Sequence, residues 1–315
     1  MSQLDDRMIV LTGSGGFLGQ FVLRNLLEKR KVNVKNLTLP RSRTDDLRDL
    51  AVCERLVKDA DIVIHVAGRT GGIGYNKRYP GSLFYDNIIM NTQLMEASRK
   101  AGVAKFVGVG TVCSYPKFTP VPFHEEDLWS GYPEETNASY GLAKKMMLVQ
   151  GQAYRQEFGL NAVHLLMVNL YGPGDNFDPE DSHVIPSLVR KFVDAKKRDL
   201  PFVILWGTGK ASREFLYVAD AAEAIVAAAE RYEDGAPVNI GSGNEVSILV
   251  LAETISRIVG YKGELRFDTT KPDGQPRRGL DVSKAERYFG FKAQTLLEDG
   301  LRNTIEWYEK KYLEE

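Results

Sequence analysis

The chain has 315 residues, 43% hydrophobic and 26% charged, the balance of a globular protein, which excludes a disordered or fibrous one. Lys plus Arg (41) nearly cancel Asp plus Glu (42), so no overall field favours nucleic acid or an anionic membrane, and any anionic ligand must be captured locally. Cys53 and Cys113 are too few for a disulfide framework and lie in no metal-ligand spacing. No apolar run approaches the roughly 18 residues of a membrane span, and the first ten residues carry acid where a signal peptide carries base. The expectation is a cytoplasmic protein without a metal site.

Met8 to Thr12 reads as a strand, followed by a helix from Phe17 to Glu28 and by strands at Leu37 to Leu39, Asp61 to Val66 and Lys105 to Gly110. These runs are too apolar to have a wet face, and they alternate with helical patterns. The rhythm predicts a doubly wound α/β fold, a parallel sheet covered on both sides. Two longer helices are predicted at Tyr85 to Lys100 and Ser139 to Phe158, with a strand at Ala162 to Val168. After Asn169 the texture changes. Gly, Pro and Asp cluster in LYGPGDNFDPED, and the later elements read as short, broken by GTGK, GSGN and KPDGQP. Residues 1–168 are thus expected to form mainly a dinucleotide-binding domain. Residues 169–315 are expected to form mainly a smaller C-terminal substrate-binding lobe, with some later elements returning to the first. Ligands of such folds sit at the carboxyl ends of the strands.

Gly13, Gly16 and Gly19, within Gly13-Ser14-Gly15-Gly16-Phe17-Leu18-Gly19, follow the first strand and open a helix. Glycine permits the tight turn and the approach of backbone to a pyrophosphate, and the helix N-terminus offers free N–H groups. The second strand ends in Leu39-Pro40-Arg41-Ser42-Arg43, without the acid that commonly holds the ribose hydroxyls of NAD. Arg41 and Arg43 suit a 2′-phosphate, which favours NADP; the other reading is a solvated loop with chance arginines. The third strand ends in small residues, Ala67 and Gly68, where backbone can pass close to a cofactor, and His65 reads as a packed strand residue.

Tyr140-Gly141-Leu142-Ala143-Lys144 puts a phenol and an ammonium on one helix face. A neighbouring cation stabilises a phenolate and brings a tyrosine toward working range as a proton donor. Thr111, at the end of the preceding strand, can supply a further hydroxyl to a substrate carbonyl. Cys113, two residues on along that strand, is expected to point to the same side.

On these motifs the chain resembles the extended short-chain dehydrogenases/reductases, with a Rossmann-like nucleotide domain. Within them it is similar to the enzymes that epimerise and then reduce a GDP-linked 4-keto-6-deoxy sugar with NADPH. The likeness runs through Gly71-Gly72-Ile73, Tyr115-Pro116-Lys117, Asn169-Leu170-Tyr171-Gly172-Pro173, Asp175-Asn176-Phe177, Ser182-His183-Val184-Ile185-Pro186, Trp206-Gly207, Arg213-Glu214-Phe215 and Lys271-Pro272-Asp273-Gly274. It implies that Cys113 and His183 exchange protons on carbons beside a ketone, that Tyr140 donates to the ketone oxygen and that Lys144 supports it. It implies NADP contacts from Gly13, Ser14, Gly16, Phe17, Leu18, Gly19, Arg41, Arg43, Ala67, Gly68, Tyr140, Lys144, Asn169 and His183. Lys191, Trp206, Arg213, Lys271 and Arg278 are the expected contacts to a nucleotide-sugar substrate, and the two long helices are expected to pair two copies into a homodimer.

Two residues depart from the family pattern: Thr111 stands where short-chain reductases usually carry Ser, and Val112 follows it where a hydroxyl residue is common. Three alternatives stay open: a 4-ketoreductase of another nucleotide-linked sugar without epimerisation, an epimerase with tightly bound NAD, and a non-catalytic dinucleotide sensor.

Overall fold

The computed structural model describes residues 4–271 and 274–313, so Pro272 and Asp273 of the KPDG motif lie outside the described residues. The first part of the chain runs β1 (Ile9–Thr12), α1 (Phe17–Arg24), β2 (Leu37–Thr38), α2 (Leu50–Val57), β3 (Ile62–His65), α3 (Ile73–Arg78), α4 (Pro80–Ala101), β4 (Lys105–Thr111), α5 (Ala138–Phe158) and β5 (Ala162–Met167). The rest runs β6 (Asn169–Tyr171), α6 (Val184–Lys197), β7 (Phe202–Trp206), β8 (Ser212–Tyr217), α7 (Val218–Arg231), β9 (Val238–Ile240), β10 (Glu245–Ser247), α8 (Ile248–Val259), β11 (Glu264–Asp268), α9 (Ser283–Phe289) and α10 (Leu297–Leu313).

Six parallel strands form the main sheet in the order β2-β1-β3-β4-β5-β9. Their side chains alternate between two cores. Ile9, Leu11, Ile62, Ile64, Val107 and Val109 enter one, while Val10, Val63 and Phe106 enter the other. This is the period of two expected of strands buried on both faces. The chain reverses its winding about β1, so the loops after β1 and β3 lie side by side, where such sheets hold their ligands.

Helix boundaries follow local chemistry. Asp49 caps α2 by accepting from Ala51 N at 2.9 Å. Pro80 occupies the first turn of α4, where its missing N–H costs nothing, so this helix starts five residues before the predicted Tyr85. Gly102 and Gly159 end α4 and α5 in the left-handed conformation. The first helix stays α-helical only to Arg24 and continues as one π turn over Asn25–Lys29, beside which Asn25 and Arg30 both bond Glu223.

The second half departs from the expectation of short elements: α6, α7, α8 and α10 have 14, 14, 12 and 17 residues. The Gly and Pro clusters fall between the helices, where they break the sequence without shortening the elements. A separate core joins Leu188, Phe192, Leu251, Ile255, Leu301 and Ile305 from α6, α8 and α10. Two small sheets accompany it, β10-β8-β6 and β11-β7. Among the described residues no helix is long and apolar enough to cross a membrane, and no group of side chains could hold a metal ion. In α4 and α5, Met95 and Met147 are buried in the core of this chain.

Candidate active site

The loop after β1 is a cradle built by missing side chains. Gly13 has φ +72°, and a Cβ there would stand 2.8 Å from Ala67 N; a Cβ on Gly19 would stand 1.9 Å from Gly13 O. Only glycine fits both positions. Gly16 caps α1 without a side-chain bond, so the N–H groups of the first turn, which include those of Phe17, Leu18 and Gly19, have no intrahelical acceptor. A backbone pocket of this kind fits the pyrophosphate of a dinucleotide. Ser14 is buried in the same loop. Arg41 and Arg43 are exposed on the loop after β2 and stand in no ion pair among the described residues. The nearby acids are engaged: Asp45 accepts from Arg55 at 2.7 Å, and Asp46 pairs with Arg48 at 2.8 Å.

Ala67 and Gly68 connect this cradle to the catalytic helix. Lys144 Nζ donates to Ala67 O at 3.4 Å, and a Cβ on Gly68 would stand 3.1 Å from the same nitrogen. Burial pushes the Lys144 pKa down to about 8. His65 and His164, both buried, are held at about 3 by desolvation and then by the charge of Lys144, so both are neutral. His65 Nδ1 lies 2.8 Å from Thr12 Oγ1, and its Nε2 lies 2.9 Å from Asn91 Oδ1. Thr12 Oγ1 accepts from Ala67 N at 3.2 Å, and Asn91 Nδ2 donates to Ala143 O at 3.3 Å. A buried chain of hydrogen bonds thus ties β1 and β3 to α5 at the residue before Lys144.

Tyr140 lies in the first turn of α5. Its phenol is pushed well above the usual value, chiefly by burial and further by electrostatic interaction with Cys113, while Thr70 acts in the opposite direction. Tyr140 and Lys144 share a helix, as their spacing implies, and the ammonium turns to the Ala67 carbonyl. The strand geometry expected for Cys113 is corrected. β4 stops at Thr111, and residues 112–114 form a 3-10 turn, so side-chain alternation does not reach the thiol. Thr111 Oγ1 instead accepts from Cys113 N at 3.2 Å and caps that turn. Gly141 is what lets α5 seat on it, since a Cβ there would lie 2.2 Å from Cys113 O. Cys113 is part-buried, free, and 3.9 Å from Arg278 Nη1.

His183 occupies the cap position of α6, yet its side chain makes no capping bond. The residue is exposed, while the surrounding protein desolvates its ring and lowers its pKa. Its loop is tied to the loop after β3, where Gly72 N donates to Asp181 O at 3.0 Å. In the same segment burial raises Asp175 to about 7, with Asn176 N donating to its Oδ1 at 2.7 Å. Asn169 Nδ2 donates to Glu214 O at 2.9 Å, linking β6 to β8. Lys191 and Lys271 lie 5.9 and 5.6 Å from the ring of Trp206, which is 67% exposed. Arg213 bonds Ser212 O at 2.7 Å, and Gln275 Oε1 holds Arg278 at 2.9 Å. The expected substrate contacts therefore form separate groups: a Trp206 platform with two lysines, and Arg278 beside the thiol. Asn87 and Asn91 escaped the sequence reading, because no spacing marks them and only the packing of α4 beside β3 and α5 brings them to the site.

A parallel sheet wound in this order, with a glycine cradle after β1 and a Tyr140/Lys144 pair on the helix after β4, defines a nucleotide-dependent short-chain dehydrogenase/reductase. The family model for the NAD dependent epimerase/dehydratase family matches residues 9–241. GDP-L-fucose synthase 1 of Arabidopsis thaliana is 39% identical over 315 residues, covering 98% of this chain and 96% of that protein. The solved GDP-L-fucose synthetase of Naegleria fowleri bound to NADP has a TM-score of 0.88 at 27% identity, covering 99% of this chain and 97% of that one. The GDP-mannoheptose C4 reductase of Campylobacter jejuni with NADP bound has a TM-score of 0.87 at 28% identity, covering 97% and 99%. The chain belongs to the NAD dependent epimerase/dehydratase family and, within it, to the GDP-L-fucose synthases.

Proposed function

We propose that this protein epimerises and then reduces a GDP-linked 4-keto-6-deoxy sugar with NADPH, converting GDP-4-keto-6-deoxy-D-mannose to GDP-L-fucose. The observation that carries the reading is the seating of the Tyr140 helix on the turn that holds Cys113, where a Cβ on Gly141 would lie 2.2 Å from Cys113 O and Ser114 Oγ donates to Gly141 O at 2.9 Å. Residues 9–19, Ala67, Gly68 and Lys144 fit NADP, with Asn169 and His183 completing its nicotinamide end; when bound, the cofactor supplies the hydride. Cys113 and His183 move protons on the carbons flanking the ketone, and Tyr140 delivers a proton to the ketone oxygen. Lys144 holds the Ala67–Gly68 floor against the catalytic helix, and Thr111 holds the turn that carries the thiol. Lys191, Trp206, Arg213, Lys271 and Arg278 bind the nucleotide sugar, which makes residues 169–315 mainly the substrate part and 1–168 mainly the cofactor part. The enzyme works in the cytoplasm. Its test is incubation with GDP-4-keto-6-deoxy-D-mannose and NADPH, with NADPH oxidation followed by absorbance and product configuration by NMR. Reduction with the ring centres unchanged would leave a simple 4-ketoreductase.

Arg41 and Arg43, exposed and outside any ion pair among the described residues, are proposed to hold the 2′-phosphate. Replacing both with alanine should weaken NADPH binding about tenfold or more relative to NADH, the loss of charge-assisted contacts to one phosphate. Equal losses for the two cofactors in a fluorescence titration would refute the assignment.

The protein is also proposed to act as a homodimer through α4 and α5. Tyr85 and Val149 are 58% and 40% exposed on these helices, which supports an apolar face left for a second copy. A monomeric mass by light scattering at micromolar concentration would contradict this.

A further inference from the structure

We propose that Arg278 is a catalytic residue of epimerisation: its guanidinium, anchored by Gln275, donates to the Cys113 sulfur and stabilises the thiolate that takes a proton from a carbon beside the ketone. The inference rests on the reading of Cys113 as that base, and it gives Arg278 a role beyond the sugar contact assigned above.

All three nitrogens of the guanidinium are engaged. Nε and Nη2 of Arg278 donate to Gln275 Oε1 at 3.2 and 2.9 Å, and Nη1 stands 3.9 Å from Cys113 Sγ, within reach of a hydrogen bond to sulfur. Gln275 is itself tied down, its Nε2 donating to Lys117 O at 2.8 Å. The backbone beneath is fixed as well. Glu214 N donates to Arg278 O at 3.0 Å, Phe123 N donates to Gly279 O at 2.8 Å, and Leu280 N donates to the buried Glu214 carboxylate at 2.7 Å. Cys113 meets the guanidinium from a turn held by Thr111.

Charge decides what this contact does. The neighbouring Arg277 is paired with Glu245 at 2.6 Å, whereas Arg278 stands in no ion pair among the described residues. The Lys144 ammonium turns instead to Ala67 O at 3.4 Å. Arg278 is thus the cation whose charge is left to the sulfur, and a guanidinium beside a cysteine favours the thiolate. In the proton transfer the C–H bond breaks, its electron pair passes into the enolate of the ketone, and the proton forms the S–H bond of Cys113. Arg278 keeps its own protons throughout, since a guanidinium is not deprotonated in a protein.

The test begins on enzyme without sugar, so that substrate binding plays no part. Iodoacetamide reacts with thiolates, and peptide mass spectrometry reads the rate at Cys113. Arg278→Met keeps the length of the side chain and removes the charge; Gln275→Leu leaves Arg278 in place without its anchor and carries the test should the Met variant not fold. The inference predicts that Met lowers alkylation at neutral pH by about tenfold to a hundredfold, the loss of a charged hydrogen bond, with Leu between Met and the parent. At saturating GDP-4-keto-6-deoxy-D-mannose in D₂O, with oxidised cofactor, deuterium exchange should fall in the same order. In the Met variant it should fall at least about tenfold further than reduction of a ketone that already has the product configuration. Alkylation at the parental rate in both variants would overturn the inference, as would exchange and reduction falling together, the mark of a sugar contact only. A Cys113→Ser control separates the two failures. Exchange that persists there removes Cys113 as the base and with it the underlying reading. If exchange is lost there while Arg278→Met exchanges like the parent, Cys113 stands as the base and the role of Arg278 falls alone.

Discussion

Replacing Tyr140 with phenylalanine is expected to lower reductive turnover by about 10²–10⁴-fold, the usual loss for a positioned general acid, while NADPH binding stays near that of the parent. The reason lies in what the residue touches. The ring sits in the first turn of α5, a helix seated by Gly141 on the turn at Cys113, and phenylalanine keeps that packing. Only the phenol oxygen is lost. Stopped-flow measurement of NADPH oxidation checks the chemical step directly, and turnover within a few-fold of the parent would mean that another group delivers the proton.

Cys113→Ser is expected to depress epimerisation by about 10²–10⁴-fold while sparing hydride transfer to a ketone that already has the product configuration. Serine roughly retains the size of the side chain but replaces sulfur with a hydroxyl oxygen, a chemically different group for proton abstraction. The turn that holds it should persist, because Thr111 bonds the backbone N–H of residue 113, not its side chain. Tyr140 and Lys144 are untouched, so reduction has no reason to fall. Equal loss of both activities would make Cys113 a packing residue.

Much of the nucleotide end was legible in the sequence because it depends on local rules. Gly13 and Gly19 follow an apolar strand at the spacing a backbone cradle needs, and the strands β1, β3 and β4 show period-two burial on both faces. The catalytic helix was legible too, since YxxxK fixes two positions on one face and Gly159 marks the end. The placement of Cys113 was not. A strand was extended through it, whereas Thr111 turns its hydroxyl onto the backbone and starts a 3-10 turn. Asn87 was invisible for a different reason: it clamps Arg69 across 18 residues of sequence, a contact that leaves no periodic trace. The second core, built from α6, α8 and α10, was less legible because the Gly and Pro clusters between its helices break the sequence into short runs.

The central claim is that one site both exchanges protons beside the ketone and reduces it. Incubation of GDP-4-keto-6-deoxy-D-mannose with the enzyme and NADPH in D₂O, with the product read by NMR, tests both halves at once. The account predicts a reduced product with inverted configuration and deuterium at C3 and C5, the carbons on which Cys113 and His183 are proposed to act. A reduced product with protium at both carbons and the original configuration would contradict it.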